Sequence, residues 1–330
     1  MNRFKIAILG CGNIARAHCA VLSQMSLEAE LYAFFDLKSN NADELSAKHK
    51  GTYATTDVQK IISDPNVHIV YFCMGHDWTL HYLELFKETG KIVFLEKPLT
   101  LKEKDFYKMR YLIQKYKIRV FAGYKTRYNS GMREIKKCIT NPQQLFAQVA
   151  DNPWINHRFG TPEKGTHILC QGVYAADALH FMAGSLPCAV MAMGVSQPGT
   201  EIPKSLSAIF NFENGVSGAL QINDNGTMPH VSKFYFQASG DGKSAVLANR
   251  FTIFKFNEDN RESSYTFTED GMFNENLHFL GALKRNASFD TGFFEGAIPS
   301  IMLFRAIESC KRNKLIKFNL KRLDDNIDGK

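Results

Sequence analysis

The sequence has no CxxC pair, and its seven cysteines (Cys11, Cys19, Cys73, Cys138, Cys170, Cys188, Cys310) are an odd number, several of them inside apolar stretches. That usage excludes a disulfide framework and a cysteine metal site and suits reduced thiols in a cytosolic compartment. No apolar run approaches the roughly 20 residues that a membrane-spanning helix needs. The opening MNRFKIAILG turns polar too soon for a secretory leader. A cytoplasmic chain with no membrane partner is therefore expected. Internal repeats and low-complexity tracts are lacking, and so is a basic groove interleaved with aromatics. The net charge of +7 comes from Lys and Arg scattered along helical stretches such as 102–119. Nucleic acid is thus not an expected partner, while an anionic small molecule suits the balance.

What is present is enough chain for two domains: 330 residues, 45% hydrophobic. Strand patterns over Phe4–Leu9, Leu31–Phe35, Thr52–Thr55, Ile69–Met74, Ile92–Leu95 and Arg119–Gly123 alternate with helix patterns over Asn13–Ser26, Asn41–His49, Asp57–Ser63, Trp78–Thr89 and Lys102–Lys117. Strands without strict alternation, separated by helices, predict a doubly wound parallel sheet covered on both faces. After Tyr124 the style changes. Short strands are expected over Phe146–Ala150, Cys188–Val195, Ser207–Phe212, Gly218–Ile222, Phe234–Ala238 and Thr252–Phe256, many of them parted by turn clusters such as FENGV and SGDGK. They predict a mainly antiparallel sheet, with helices around 170–183 and 297–312. The fold class is α/β: a Rossmann-type domain over 1–123 and an α+β domain over 124–330.

GCGNIA (10–15) follows the first strand and opens a helix. Gly10 and Gly12 allow a tight turn and close approach of a pyrophosphate, Asn13 and Ile14 start the helix whose N-terminus faces phosphate, and Ala15 takes the third glycine position. Asp36 ends the second strand, where its carboxylate can accept from ribose hydroxyls. An acid there favours NAD. Lys38, two residues on, is a cation that would meet a 2′-phosphate, so NADP stays open. In CMGHDWTLH (73–81), Met74 ends the fourth strand. His76 and His81 lack a third ligand nearby, so no metal is expected, and His81 reads as support for the loop and the helix after it.

KIVFLEKPLT (91–100) ends an apolar strand on Glu96, Lys97 and Pro98 with none of the usual Gly, Asn or Asp of a turn. Gly10, Asp36, Met74 and Lys97 all fall at C-terminal ends of parallel strands, the edge where a doubly wound sheet binds its ligand. Lys97 is therefore aimed at the cofactor, and Pro98 limits its swing.

These residues resemble the glucose–fructose oxidoreductase, inositol dehydrogenase and MocA family. The resemblance is carried by GCGNIA, Asp36, His81, EKP (96–98), GYKTRY (123–128), GVYAADALHFMAG (172–184) and EGAIPSIMLFRAIES (295–309). It implies a nicotinamide-binding domain followed by an open-faced α/β domain, and an oxidoreductase acting on a sugar, polyol or nucleotide-linked sugar. His81, Glu96 and Lys97 join the cofactor contacts. It also implies a homodimer or homotetramer, because a large apolar sheet face needs cover. In CQGVYAAD (170–177), Cys170 stands at the family's usual Asp and Tyr174 at its usual acid/base His, while Asp177 is retained. The family includes Tyr versions. A phenol's ordinary pKa of about 10 falls beside positive charge, so Lys97 suits Tyr174 as a proton carrier and also stabilises a developing alkoxide. Tyr174 has a second reading, as a core aromatic beside Ala175, Ala178 and Leu179. Cys170 and Asp177, spaced along one helix face with Tyr174, are candidate substrate contacts. So are Arg127 and the loop residues Trp154, Asn156, His157 and Arg158. Two other functions stay open: a cofactor-binding sensor or scaffold without turnover, which Cys170 favours, and a dihydrodiol-dehydrogenase-like enzyme, which shares the Tyr.

Overall fold

The computed structural model describes residues 3–151, 167–195, 202–223, 226, 231–259 and 261–320. They form two compact units. In the first, six strands run parallel: β1 (Phe4–Leu9), β2 (Ala29–Phe35), β3 (Tyr53–Thr55), β4 (Ile69–Phe72), β5 (Ile92–Glu96) and β6 (Val120–Gly123). Their order is β3-β2-β1-β4-β5-β6, so the chain reverses direction across the sheet between β1 and β4. Helices α1 (Asn13–Leu22), α2 (Ser39–His49), α3 (Val58–Ser63), α4 (Thr79–Phe86) and α5 (Glu103–Tyr116) connect them. Strands β1, β4 and β5 are apolar at nearly every position because both faces are covered, and Ile6 to Leu9 and Val93 to Leu95 have no exposed surface. The expected helices are present, four of them with shorter ends, while α2 begins two residues earlier than expected, at Ser39. The Asn13–Ser26 pattern gives way at Ser23 to one 3₁₀ turn, and the Trp78–Thr89 pattern starts with another at His76–Trp78.

The second unit holds α6 (Ser130–Cys138), β7 (Gln144–Ala150), α7 (Gly172–Ala183), β8 (Pro187–Val195), β9 (Ser205–Phe212), β10 (Ser217–Asn223), β11 (Phe234–Gly240), β12 (Lys243–Ala248), β13 (Ile253–Glu258) and β14 (Arg261–Thr266). With the short β15 (Ile316–Lys317) the strands make one sheet ordered β14-β13-β12-β11-β7-β10-β9-β8-β15. Only the β7–β10 pairing is parallel. One face is core, with Leu145, Ala147 and Val149 of β7, Leu220 and Ile222 of β10, and Phe210 and Phe212 of β9 all buried. Helix α7 packs there; the atoms nearest an added Cβ on its Gly172 are those of Ile222.

The opposite face differs from the expectation of a large apolar surface. Register aligns Met191, Ile209, Ala219, Phe146, Gln237 and Val246 in one mostly apolar row. One flanking row is polar at its centre, Ser207, Gln221 and Gln148, and ends on Met193 and Tyr235; the other holds Asn211, Ser217, Gln144, Ser239 and Ser244. The outward positions of β7, β9, β10 and β11 are mostly Ser, Gln and Asn, which need far less cover from water than an apolar face does, whereas β8 presents Met191, Met193 and Val195 there.

The segment 272–297 departs from the expected division of the chain at 123/124, because it belongs to the first unit along with Tyr124 and Lys125. It contains α8 (Met272–Lys284) and the start of α9 (Phe293–Arg312). The cause is an aromatic cluster. Phe279 of α8 lies against Phe94, Phe121 and Tyr71, with ring centroids 5.4, 4.9 and 6.0 Å away, and Phe293 stacks on Phe106 at 5.4 Å. Each aromatic buries a large apolar area.

Candidate functional site

The C-terminal edge of the parallel sheet is built around the β1–α1 turn. Gly10 has φ +86°, and a Cβ there would lie 2.8 Å from the Met74 backbone, so no other residue fits without strain. Its amide donates to the Phe35 carbonyl at 2.8 Å. The next amide, of Cys11, donates to Asp36 Oδ2 at 2.8 Å, which ties the glycine turn to the end of β2. Burial pushes the Cys11 thiol up to about 12, with the Asp36 charge adding to it, so this thiol is an inert packing group.

A cleft of about 360 Å³ opens at this edge, lined by Gly10, Gly12, Asp36, Lys38, Asn41, Met74, Trp78 and Tyr82 among others. A dinucleotide fits these residues on two counts. A Cβ on Gly12 would meet nothing within 4 Å and its φ is an ordinary −82°, so the protein's own packing does not require glycine there. The empty space it leaves is where a pyrophosphate would approach the start of α1, which has no side-chain cap and no acidic residue in its first turn. Second, Asp36 keeps acceptor capacity. Oδ1 takes the Lys38 amide at 2.9 Å and Asn41 Nδ2 at 3.2 Å, whereas Oδ2 takes the Cys11 amide. A carboxylate oxygen accepts about two bonds, which leaves Oδ2 room for a ribose hydroxyl. Asn13 and Ile14 begin α1 beside the cleft. His81 is exposed on α4, its ring edge-on to those of Trp78 and Tyr82, which line the cleft, at 5.8 and 5.3 Å.

At the end of β5 the answer to EKP is a buried polar chain. Glu96 is buried and its Oε1 lies 2.7 Å from Nε2 of the fully buried His18 on α1. Asn276 of α8 sits on the other side of that imidazole, its Nδ2 3.2 Å from His18 Nδ1 and 2.8 Å from the Met272 carbonyl, while its Oδ1 accepts from Tyr71 Oη at 2.9 Å. Burial alone would push the Glu96 carboxyl up. The hydrogen bond from His18 and the Lys97 charge outweigh it and hold the carboxyl below its ordinary value. Half-buried Lys97 is joined to Pro98 by a cis peptide bond. His76 lies beside them; burial, then the Lys97 cation, lower its pKa to about 4 even though it hydrogen-bonds the Pro98 backbone, so it is neutral at neutral pH. His76 was not among the expected site residues. Its signal, a His two residues past the end of the Ile69–Met74 strand pattern, was present in the sequence.

Ligand atoms of His18, Glu96 and Glu275 lie within 4.8 Å of one another. A hydrogen bond describes this group better than an ion does. Two ligands of one tetrahedral cation at bond lengths near 2.0–2.2 Å stand roughly 3.3 Å apart, wider than the 2.7 Å between His18 Nε2 and Glu96 Oε1.

In the second unit, Arg127 and Asp177, both expected to contact substrate, are ion-paired with each other. Arg127 Nε and Nη2 each lie 2.7 Å from Asp177 Oδ1, and the carboxylate is fully buried. Burial raises the Asp177 pKa, and the Arg127 cation offsets only part of the rise. Tyr174 is buried on α7, its ring edge-on to Phe234 at 5.3 Å. Cys170 is buried in a π-helical turn, His167–Gln171, that leads into α7. Such turns are rare and recur at functional sites. His167, buried at its start, is a polar group the sequence reading passed over. Trp154, Asn156, His157 and Arg158 lie outside the described residues.

A Rossmann sheet with a glycine turn and an acid at its switch point defines the class, a dinucleotide-binding fold. A model of the oxidoreductase family with an NAD-binding Rossmann fold matches residues 4–124, and a model of the GFO/IDH/MocA C-terminal domain matches residues 143–246. The chain belongs to the Gfo/Idh/MocA oxidoreductase family. It is similar to myo-inositol 2-dehydrogenase of Thermotoga maritima, 28% identical over 137 residues that span 42% of this chain and 41% of that protein. It is also similar to glucose-6-phosphate 3-dehydrogenase of Bacillus subtilis, 30% identical over 140 residues that span 42% of this chain and 38% of that protein. These matches thus span about two-fifths of each relative. The solved structure of UDP-N-acetylglucosamine 3-dehydrogenase from Acidithiobacillus ferrooxidans shares the fold with a TM-score of 0.81 at 16% identity, covering 94% of this chain and 99% of that one. No helix among the described residues is long and apolar enough to cross a membrane.

The two glycines separate fold from ligand. Gly10→Ala should lower stability by about 2 kcal/mol or more, from a disfavoured φ and a backbone clash. Gly12→Ala should leave thermal unfolding unchanged and weaken dinucleotide binding about tenfold or more. Unfolding curves and calorimetric titration of the two variants check both outcomes.

Proposed function

We propose that the chain is an NAD-dependent dehydrogenase that moves a hydride between nicotinamide and a carbon bearing a hydroxyl or carbonyl on a sugar, polyol or nucleotide-sugar-like substrate. The observation that carries this reading is the cleft at the β1–α1 turn, with Gly12 open and Asp36 Oδ2 able to accept a hydroxyl. Asp36 would repel a 2′-phosphate, which favours NAD over NADP, while Lys38 at the rim is the residue that would favour NADP. The inositol and sugar-phosphate dehydrogenases among the relatives support a polyhydroxylated substrate. When bound, the nicotinamide supplies the hydride acceptor or donor. The chain's own groups do the rest. Lys97 presents positive charge to the substrate oxygen as it becomes an alkoxide, and the Tyr174 hydroxyl gives or takes the proton.

A cofactor-binding sensor without turnover is the second reading. Cys170 in place of the family's Asp favours it, and so does the Arg127–Asp177 pair, which satisfies two candidate substrate contacts internally. For assembly we propose a homodimer or homotetramer through the outer face of the nine-stranded sheet, where the apolar row centred on Ile209, Ala219 and Phe146 would supply burial and the flanking Gln and Ser rows hydrogen bonds.

Turnover decides between enzyme and sensor. NADH fluorescence should change on mixing with NAD and a member of a panel of inositols, sugars, sugar phosphates and nucleotide sugars. Lys97→Ala and Tyr174→Phe should each lower the rate by roughly 10²–10⁴ while leaving NAD affinity largely intact. The double variant should lose much less than the product of the two, as residues acting together do. Binding without turnover across the panel favours the sensor, and parent-level turnover by Tyr174→Phe would make Tyr174 a packing residue. Light scattering at micromolar concentration should give a dimer or tetramer mass; a monomer mass rules out the proposed assembly.

A further inference from the structure

The polar chain behind Glu96 is ordered more tightly than a buried carboxylate needs. A carbonyl oxygen only accepts, so the Asn276 atom 2.8 Å from the Met272 carbonyl is the amide nitrogen. That nitrogen also lies 3.2 Å from His18 Nδ1. An amide nitrogen only donates, so Nδ1 must hold a lone pair and the imidazole proton must sit on Nε2, facing Glu96 Oε1 at 2.7 Å. The Tyr71 hydroxyl closes the remaining side of Asn276, and burial pushes that phenol well above its ordinary range, so it stays neutral. The imidazole cannot turn over: the Tyr71 and Phe94 rings meet it edge-on at 5.2 and 5.0 Å.

Titratable groups face Glu96 from several elements. His18 faces it from α1, Lys97 follows it in the chain, His76 approaches from the turn after β4, and Glu275 comes from α8. The Cys73 thiol at the end of β4 also faces it, pushed up by burial and by the Glu96 charge, and so remains neutral. With His76 neutral, the Glu96 carboxylate has a second buried carboxylate, Glu275, beside it and the Lys97 ammonium next to it in the chain, and His18 Nε2, 2.7 Å from Oε1, is the donor that orients it.

We propose that His18 and Asn276 are positioning residues for Lys97. Asn276 fixes the His18 tautomer, His18 Nε2–H orients the Glu96 carboxylate, and the oriented carboxylate holds the charge and the place of the Lys97 ammonium. The proposal rests on the reading of Lys97 as the cation that meets the substrate oxygen. Loss of the Nε2 donor would leave a buried carboxylate short of a hydrogen bond; it would take up a proton more readily, and Lys97 would lose its partner charge.

The test uses the full chain with two readouts, one of them independent of turnover. Nitrogen-15 NMR of the histidines should show His18 as the Nε2–H tautomer at neutral pH; an Nδ1–H tautomer or an imidazolium overturns the proposal. Lys97 titration, followed by pH-dependent acetylation and mass spectrometry, should shift about one unit to lower pH in His18→Phe, which is roughly tenfold more labelling at a fixed pH below the titration. His18→Gln, which keeps an N–H donor, should return the titration toward that of the parent, and on an active substrate His18→Phe should lower kcat more than it raises KM. If His18→Phe fails to fold, the tautomer and the Asn276→Ala titration, which should shift the same way, decide. An unchanged Lys97 titration in either variant lacking a fixed donor, His18→Phe or Asn276→Ala, reduces His18 to a packing residue. If no substrate on the panel reacts, the dehydrogenase reading fails while the Lys97 titration still decides this one.

Discussion

The hydrogen bond from the Cys11 amide to Asp36 Oδ2 is the constraint on which the first unit's chemistry depends. It joins two features that a Rossmann sheet supplies from different strands, the phosphate turn after β1 and the acid after β2. Gly10 makes it geometrically available, because only its positive φ turns the chain sharply enough under the Met74 backbone to aim the next amide at the carboxylate. The same bond holds the Asp36 carboxylate at the cleft and leaves Gly12 as the open rung of the turn. Everything else at this edge is arranged about that fixed pair: Met74 from β4, Trp78 and Tyr82 from the α4 region, and Lys38 and Asn41 at the start of α2.

Deeper in the same unit the buried Glu96 carboxylate is partnered. Glu96 keeps its charge because His18 donates to it and Lys97 adjoins it. The second unit follows the same rule at Arg127 and Asp177, with Thr126 Oγ1 adding a long 3.4 Å contact to the carboxylate. Breaking either arrangement by removing one partner leaves a buried charge uncompensated, typically a loss of about 3–5 kcal/mol. The difference lies in what adjoins the pair. Glu96 leads directly into the half-buried Lys97, whereas Asp177 is enclosed on all sides.

Features set by local chemistry were legible in the sequence. A glycine turn between a strand and a helix, an acid at the end of the next strand and a Lys-Pro at a strand end each declare themselves within a few residues. Contacts between distant residues were not. His18 and Asn276 are 258 positions apart, and Asn276 lies on a helix whose pattern was passed over, so the polar chain behind Glu96 had no sequence signal. Arg127 and Asp177 were each recognised as notable, but side chains 50 residues apart do not announce that they will pair. Strand β14, RESSYT, was illegible because both its faces are largely exposed and no apolar alternation marks it. Helix α6 was readable and missed: Asn129 caps it by accepting from the Met132 amide, and Met132 and Ile135 lie three apart on its buried face.

The central claim is that the cleft between Gly12 and Asp36 holds NAD, and calorimetric titration of the parent chain with NAD and with NADP tests it most directly. The account predicts one site per chain, NAD tighter than NADP by about tenfold or more, and a preference that narrows or reverses in Asp36→Ala. Equal or tighter binding of NADP by the parent would make Lys38 the guide to the cofactor, and binding of neither dinucleotide would contradict the account.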